Sequence, residues 1–322
     1  MSRSDGPDRS TTVAGFAAIV LWSATVALAR STAERLGPVT AGLSVYLIAG
    51  LLLTGLRLRK GPLFGPRRSL ADKYVFGCGA LFVLYTIAFF LALGFAKDRN
   101  QTVEVGLLNY LWPALTLLFS LFLLGNKCGL GLIPGTLLAL GGVFLVVTQG
   151  AALSWGAFTA NLLCNPVAYG LGLFAAVTWG LYSNLARRWS PGHGGGSVHW
   201  FTLASGSAFV VIRLFVPEAG TWSVQAATEV VTLGVMTALG YLFWDLAMRA
   251  GNMVLVAAFS YLTPFLSTVV ICAYLGVRPT PQLWVGCVLI VVGSYVSWRS
   301  IRSPDRANAG ARPQPVLKKE ES

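Results

Sequence analysis

Asn109-Tyr110-Leu111-Trp112-Pro113 and Ser260-Tyr261-Leu262-Thr263-Pro264 decide how this chain is read. Each pentapeptide lies within a long apolar stretch and sets a proline near its middle. Proline has no N–H for the carbonyl four residues back, so a helix through either stretch is predicted to break there, freeing the carbonyl of Asn109 or Ser260. In hydrocarbon such a carbonyl needs another partner or a wet cavity. Single proline kinks are common in membrane helices and serve packing. Two at corresponding places in the two halves of a chain point to a transporter site, with Pro113 and Pro264 as hinges.

Working outward, the halves match elsewhere too. Ala17-Ala18-Ile19 leads to Trp22 and ends at Leu28-Ala29-Arg30, while Ala175-Ala176-Val177 leads to Trp179 and ends at Leu185-Ala186-Arg187. Each arginine lies eight residues after its tryptophan. The run Val13 to Ala29, with its A-x-A-like end, could pass for a signal peptide. Because it recurs in the second half, it is expected to be a retained first helix.

The chain of 322 residues is 55% hydrophobic and only 11% charged. Soluble domains carry about a quarter charged residues, so a water-soluble protein is excluded. Apolar runs of about 20 residues, the length that crosses a bilayer, recur throughout. They predict ten helical spans near 12–30, 38–58, 73–95, 101–124, 129–149, 166–188, 197–217, 226–249, 252–275 and 280–300. The expected fold is an all-α integral membrane protein of two inverted five-helix repeats, 12–150 and 166–302, between disordered tails 1–11 and 303–322. An odd number of spans per repeat makes the copies face opposite ways.

The net charge of +12 sits between spans and in the C-terminal tail, so it signals topology rather than nucleic-acid binding. Arg57, Arg59, Lys60, Arg67, Arg68 and Lys73 share one connection, whereas 150–165 and 218–225 contain no Lys or Arg. Both termini are therefore expected in the cytoplasm. Cys78, Cys272 and Cys287 fall within apolar runs and imply no disulfide framework. Gly131 and Gly135 form a GxxxG, expected to serve helix packing within the bundle.

Trp155, Trp189, Trp200, Trp222, Trp284 and Trp298 lie in connections or near span ends, where interfacial aromatics belong. Trp244 is read as nearer the cytoplasmic end of its span. Trp22, Trp112 and Trp179 fall mid-span, as do Tyr46, Tyr85, Tyr110 and Tyr261. An indole N–H at that depth needs a partner. Beside two proline breaks, these residues suggest an aromatic-lined cavity in which freed carbonyls and Asn109 meet an ammonium group.

Acidic side chains are scarce at mid-span. Glu104 is placed near a helix N-terminus, where it complements the dipole. Asp245 is read as a helix-surface partner of Arg249 four residues on. Arg213, near an outer end, is expected to snorkel. No carboxylate or histidine is expected at the midplane, which favours facilitated diffusion over proton antiport. His193 and His199 lack metal-ligand spacing, so no catalytic residue, metal or cofactor is expected. A channel filter or charged ring is not visible.

At Glu104-Val105-Gly106-Leu107-Leu108-Asn109-Tyr110-Leu111-Trp112-Pro113, supported by Ile19-Val20-Leu21-Trp22-Ser23 and Gly37-Pro38-Val39, the chain resembles the EamA branch of the drug/metabolite transporter superfamily. Within that branch it is most similar to the aromatic amino acid exporters. The resemblance runs over nearly all ten spans. It implies a ten-helix basket in the bacterial inner membrane, both ends cytoplasmic, exporting aromatic and other neutral amino acids. It also implies a cavity lined by Tyr110, Trp112, Pro113 and Trp179. Trp22, Tyr85, Asn109, Ser260 and Tyr261 join that list by position alone. The expected partners are an amino acid and the lipid bilayer, with no nucleic acid and no obligate protein partner. The alternative is export of another small metabolite or drug by the same architecture.

Overall fold

A computed structural model describes residues 7–59, 73–148, 155–190, 196–275 and 280–302. The first half runs α1 (Arg9–Leu36), α2 (Pro38–Leu58), a π-helical turn (Tyr74–Cys78) leading into α3 (Gly79–Phe95), α4 (Arg99–Asn109), α5 (Trp112–Leu123) and α6 (Leu132–Val147). After α7 (Trp155–Cys164), the second half runs α8 (Pro166–Trp189), α9 (Val198–Phe215), α10 (Val224–Ala250), α11 (Met253–Phe259), α12 (Leu262–Leu275) and α13 (Pro281–Ser300). Residues Lys127–Cys128 pair antiparallel with Ile301–Arg302.

Local chemistry sets the helix ends. Asp8 caps α1 by accepting from the backbone N–H groups of Ser10 and Thr11, so the helix starts before the tail boundary expected at residue 11. Residues 1–6 and 303–322 lie outside the described residues. Gly37 at φ 85° stops α1, and Pro38 opens α2 immediately after it. The first-turn N–H groups of Val39 and Thr40 donate to the Glu218 carboxylate at 2.8 and 2.7 Å, which joins α2 to the α9–α10 connection. Arg213 does more than snorkel. It donates to Thr40 Oγ1 and to the carbonyls of Val216 and Glu218, fixing the same corner.

The proline breaks appear where expected and differ in degree. α4 ends at Asn109 and α5 begins at Trp112, yet the two stay aligned closely enough that Gln101–Leu123 counts as one continuous span. In the second half, α11 and α12 are bent 47° apart at Ser260-Tyr261. α7 departs from the expectation. It fills part of the connection read as loop and meets α8 at 98°, turning at Asn165-Pro166 where Asn165 caps α8.

The packing follows a reciprocal pattern. α1 lies on α10, and α8 lies on α3. α1 also touches α12, just as α8 touches α5. α2 packs on α9, and α6 packs on α13. The last pair approaches through glycines. A Cβ on Gly142 would meet the Gly286 carbonyl at 2.6 Å, and one on Gly135 would meet the Ser297 nitrogen at 2.7 Å. The GxxxG region thus serves contact inside the bundle.

Among the described residues, six helices are each long and apolar enough to cross a membrane, or up to eight if each bent pair is one span. α6 is apolar but shorter. The chain is a multi-helical membrane protein.

Candidate substrate site

The mid-span tryptophans converge. Trp179, 1% exposed on α8, is the centre of a group of contacting aromatic rings from five helices. Trp22 of α1 meets it edge to face at 5.8 Å between ring centroids, Tyr85 of α3 at 4.6 Å, and Trp112 at the start of α5 at 6.4 Å. Tyr241 and Trp244 of α10 lie 5.6 and 6.1 Å away. Gly240 makes room for Trp22, since a Cβ there would meet the indole nitrogen at 2.6 Å. The indole N–H of Trp244 donates to Ser183 Oγ at 3.2 Å, which satisfies it at depth.

The broken helix supplies the polar edge. Asn109 and Tyr110 lie beside the Tyr85 hydroxyl. Asn109 Oδ1 is buried and has no partner. Pro113 is buried next to Trp112 at the start of α5. Tyr110 and its counterpart Tyr261 belong to a second apolar cluster, between the broken helices and α6 and α13. The Tyr261 hydroxyl there is buried without a partner. Ser260 is also buried, but its Oγ donates to the Ala257 carbonyl. Its own carbonyl accepts from Thr263 N–H at 3.0 Å and Thr263 Oγ1 at 2.8 Å. The expectation of a free carbonyl at Ser260 is thus corrected. The residue before the proline turns back and supplies both donors.

Set beside known proteins, the chain matches the description of the EamA-like transporter family over residues 10–148 and again over 166–299. It belongs to the EamA-like transporter family. The aromatic amino acid exporter YddG of Salmonella typhimurium is 32% identical over 299 residues, covering 91% of this chain and 98% of that protein. The protein of the same name from Escherichia coli is 32% identical over 295 residues, with 91% of this chain and 98% of that protein covered. A solved crystal structure at 29% identity superposes with a TM-score of 0.73, covering 89% of this chain and 97% of its own.

Two carboxylates of this EamA-like transporter sit differently from expectation. Asp245 is not on a helix surface. It is fully buried, with Arg249 Nε donating to Oδ2 at 2.8 Å. Its Oδ1 accepts from the Tyr74 and Tyr182 hydroxyls at 2.8 and 3.1 Å. Arg187 donates to the carbonyls of Arg249 and Gly251. Glu104 lies past the first turn of α4 and is 1% exposed, so it does not act by capping the dipole. It accepts from the Tyr169 hydroxyl and from Asn161 Nδ2, tying α4 to α7 and α8.

Phe82 and Tyr241 carry no expectation from the sequence, and Trp244, read as nearer the cytoplasmic end of its span, joins the cluster instead. Phe82 stands 4.7 Å from Tyr241 and 5.9 Å from Trp179. A signal is present on α10. Tyr241, Trp244, Asp245 and Met248 follow i, i+3, i+4, i+7 and form one buried helix face. Among the described residues, no group of three or more His, Cys, Asp or Glu could hold a metal.

Proposed function

We propose that this transporter exports aromatic and other neutral amino acids across the bacterial inner membrane, by alternating access around Trp22 and Trp179. The architecture we infer is ten spans in two inverted five-helix repeats, with both termini in the cytoplasm. Three observations support it. The family description matches each half separately. The helix pairings are reciprocal between halves. The two matched tryptophans touch, as residues flanking a shared axis do. The cytoplasmic placement rests on the Lys and Arg distribution.

The substrate site we assign comprises Trp22, Tyr85, Asn109, Tyr110, Trp112, Pro113 and Trp179, with Ser260 and Tyr261 on the matching break. The observation that carries it is Asn109 Oδ1, a buried acceptor left without a partner beside an aromatic wall. An orphaned buried acceptor costs about 1–3 kcal/mol, so a structure that keeps one gains when a donor arrives. An amino acid's ammonium is such a donor, and its aromatic side chain packs against Trp112 and Trp179. Relatives bearing the name aromatic amino acid exporter agree with this reading. A neutral zwitterion bound by an amide and aromatic rings needs no proton exchange, which fits facilitated diffusion.

The α11–α12 bend of 47° and the gentler α4–α5 break act as hinges at Pro264 and Pro113. Uptake of radiolabelled phenylalanine into proteoliposomes, with and without an imposed pH gradient, tests the function. Saturable uptake indifferent to the gradient is expected. Failure of folded protein to carry phenylalanine, tryptophan or threonine would move the substrate to another class of metabolite.

A further inference from the structure

A cavity of about 280 Å³ opens between α2, α9 and α10 at the end of the bundle that bears the N-terminus. Its wall combines Leu53 and Leu246 with Arg57, His199, Asp245 and Arg249. Drug-sized ligands occupy pockets of about 300–1,000 Å³, so this volume suits an amino acid. His199 is 5% exposed, and its Nε2 is buried without a partner. Gly196 also borders the cavity, and a Cβ there would meet Arg249 Nη2 at 2.6 Å. The glycine lets the cavity reach the ion pair.

We propose that this cavity is a first binding site for zwitterionic α-amino acids on the cytoplasmic face, and that filling it releases the gate beneath the aromatic cluster. Arg57 and Arg249 take the carboxylate, Asp245 and His199 face the ammonium, and the leucines take the side chain. This inference rests on the proposed amino-acid transport and on cytoplasmic termini.

The gate is the hydrogen-bonded knot at Asp245. Tyr74 before α3 and Tyr182 on α8 both donate to Asp245 Oδ1 on α10, and Tyr74 accepts from Ser197 N–H. Three elements therefore meet at one carboxylate, and Tyr74 ties a fourth, the start of α9, to it. Asp245 and Arg249 share a helix, so when α3 and α8 draw away the charges stay paired and only two phenol bonds break. That avoids the cost of an uncompensated buried charge, about 3–5 kcal/mol. An ammonium arriving at Oδ1 competes with those same phenols. A carboxylate alone or an amine alone satisfies only one side of the pair, so the site selects the zwitterion. Above the knot, Tyr182 stands 5.0 Å from Trp179, and Trp244 adjoins Asp245 in sequence. One layer of residues separates the two sites.

The test is zero-trans phenylalanine flux measured at each face of oriented proteoliposomes, for the wild type and Arg57→Gln. Arg57 is only partly buried, so the fold should tolerate the change. The half-saturation concentration should rise about tenfold at the cytoplasmic face, equivalent to about 1.4 kcal/mol of binding. At the opposite face it should hold while the maximal rate falls, as the reversibility of a facilitator requires. Phenethylamine and 3-phenylpropionate should each inhibit from the cytoplasmic face at least tenfold more weakly than phenylalanine. Equal changes in half-saturation at both faces, no change at either, or equal inhibition by the amine or the acid would overturn the first site alone. Wild-type protein that carries no amino acid from either face would overturn it together with the function it rests on.

Discussion

Trp22 and Trp179 occupy matching positions in the two halves of the chain and meet edge to face with ring centroids 5.8 Å apart. A residue touches its own counterpart only near the axis that relates two copies. The contact therefore lies where the two halves meet, the place of the proposed substrate site. The two rings are not equivalent. Trp179 is nearly inaccessible at the centre of the cluster, whereas Trp22 is only partly buried.

Trp179→Ala should accordingly destabilise the protein by about 3–5 kcal/mol, as loss of a packed tryptophan does. Trp22→Ala should cost less stability and more transport. Thermal unfolding of purified protein beside uptake rates separates the two. A larger melting shift for Trp22→Ala would contradict the assignment of Trp179 as the hub.

Asn109→Ala removes an acceptor that is already unpaired, so the fold loses only the amide's hydrogen bond to Tyr85, about 1 kcal/mol. Half-saturation for amino acids should nonetheless rise about tenfold, the value of one hydrogen bond of about 1.4 kcal/mol. Unchanged half-saturation in a well-folded variant would remove Asn109 from the site.

Gly141 and Gly142 are neighbours on α6 with opposite surroundings. A Cβ at Gly141 meets nothing within 4 Å, while one at Gly142 meets the Gly286 carbonyl at 2.6 Å. Gly141→Ala should leave the melting temperature unchanged or raise it slightly. Gly142→Ala should destabilise by about 1–3 kcal/mol, because two helix backbones must separate. Equal effects would mean that α6 and α13 do not approach through these glycines.

The two proposed hinges lead to unequal predictions. Pro264 sits at a 47° bend and Pro113 at a near-continuous span, so Pro264→Ala should slow turnover more than Pro113→Ala. Uptake rates and substrate affinity at wild-type values in both variants would refute the hinge roles.

Much of the fold is legible in the sequence because membrane solvent leaves few options. Long apolar runs become helices, and prolines break them at Tyr110-Leu111 and Ser260-Tyr261. Trp22 and Trp179 pair by sequence alone, because the repeat aligns them. Trp244 does not. Its distance from the span end suggests an interfacial residue, yet the crossing of α1 over α10 carries it to the centre, 5.2 Å from Trp22. Asp245 is misjudged from sequence for the same reason. An i, i+4 pair looks alike on a surface and in a core until tertiary packing supplies Tyr74 and Tyr182 from other helices. Proline's missing donor alone suggests a free carbonyl at Ser260, and the Thr263 hydroxyl that replaces that donor is a local choice of side chain.

The central claim is that the aromatic cluster at the axis between the halves binds the substrate. Its most direct test is saturable uptake of phenylalanine, tryptophan and threonine by proteoliposomes containing the wild type or Trp112→Ala. The account predicts that the half-saturation concentration rises at least tenfold for phenylalanine and tryptophan and less than threefold for threonine, since about 1.4 kcal/mol of aromatic contact is lost only by substrates that make it. An equal loss for all three would show that Trp112 holds the fold rather than the substrate, and would contradict it.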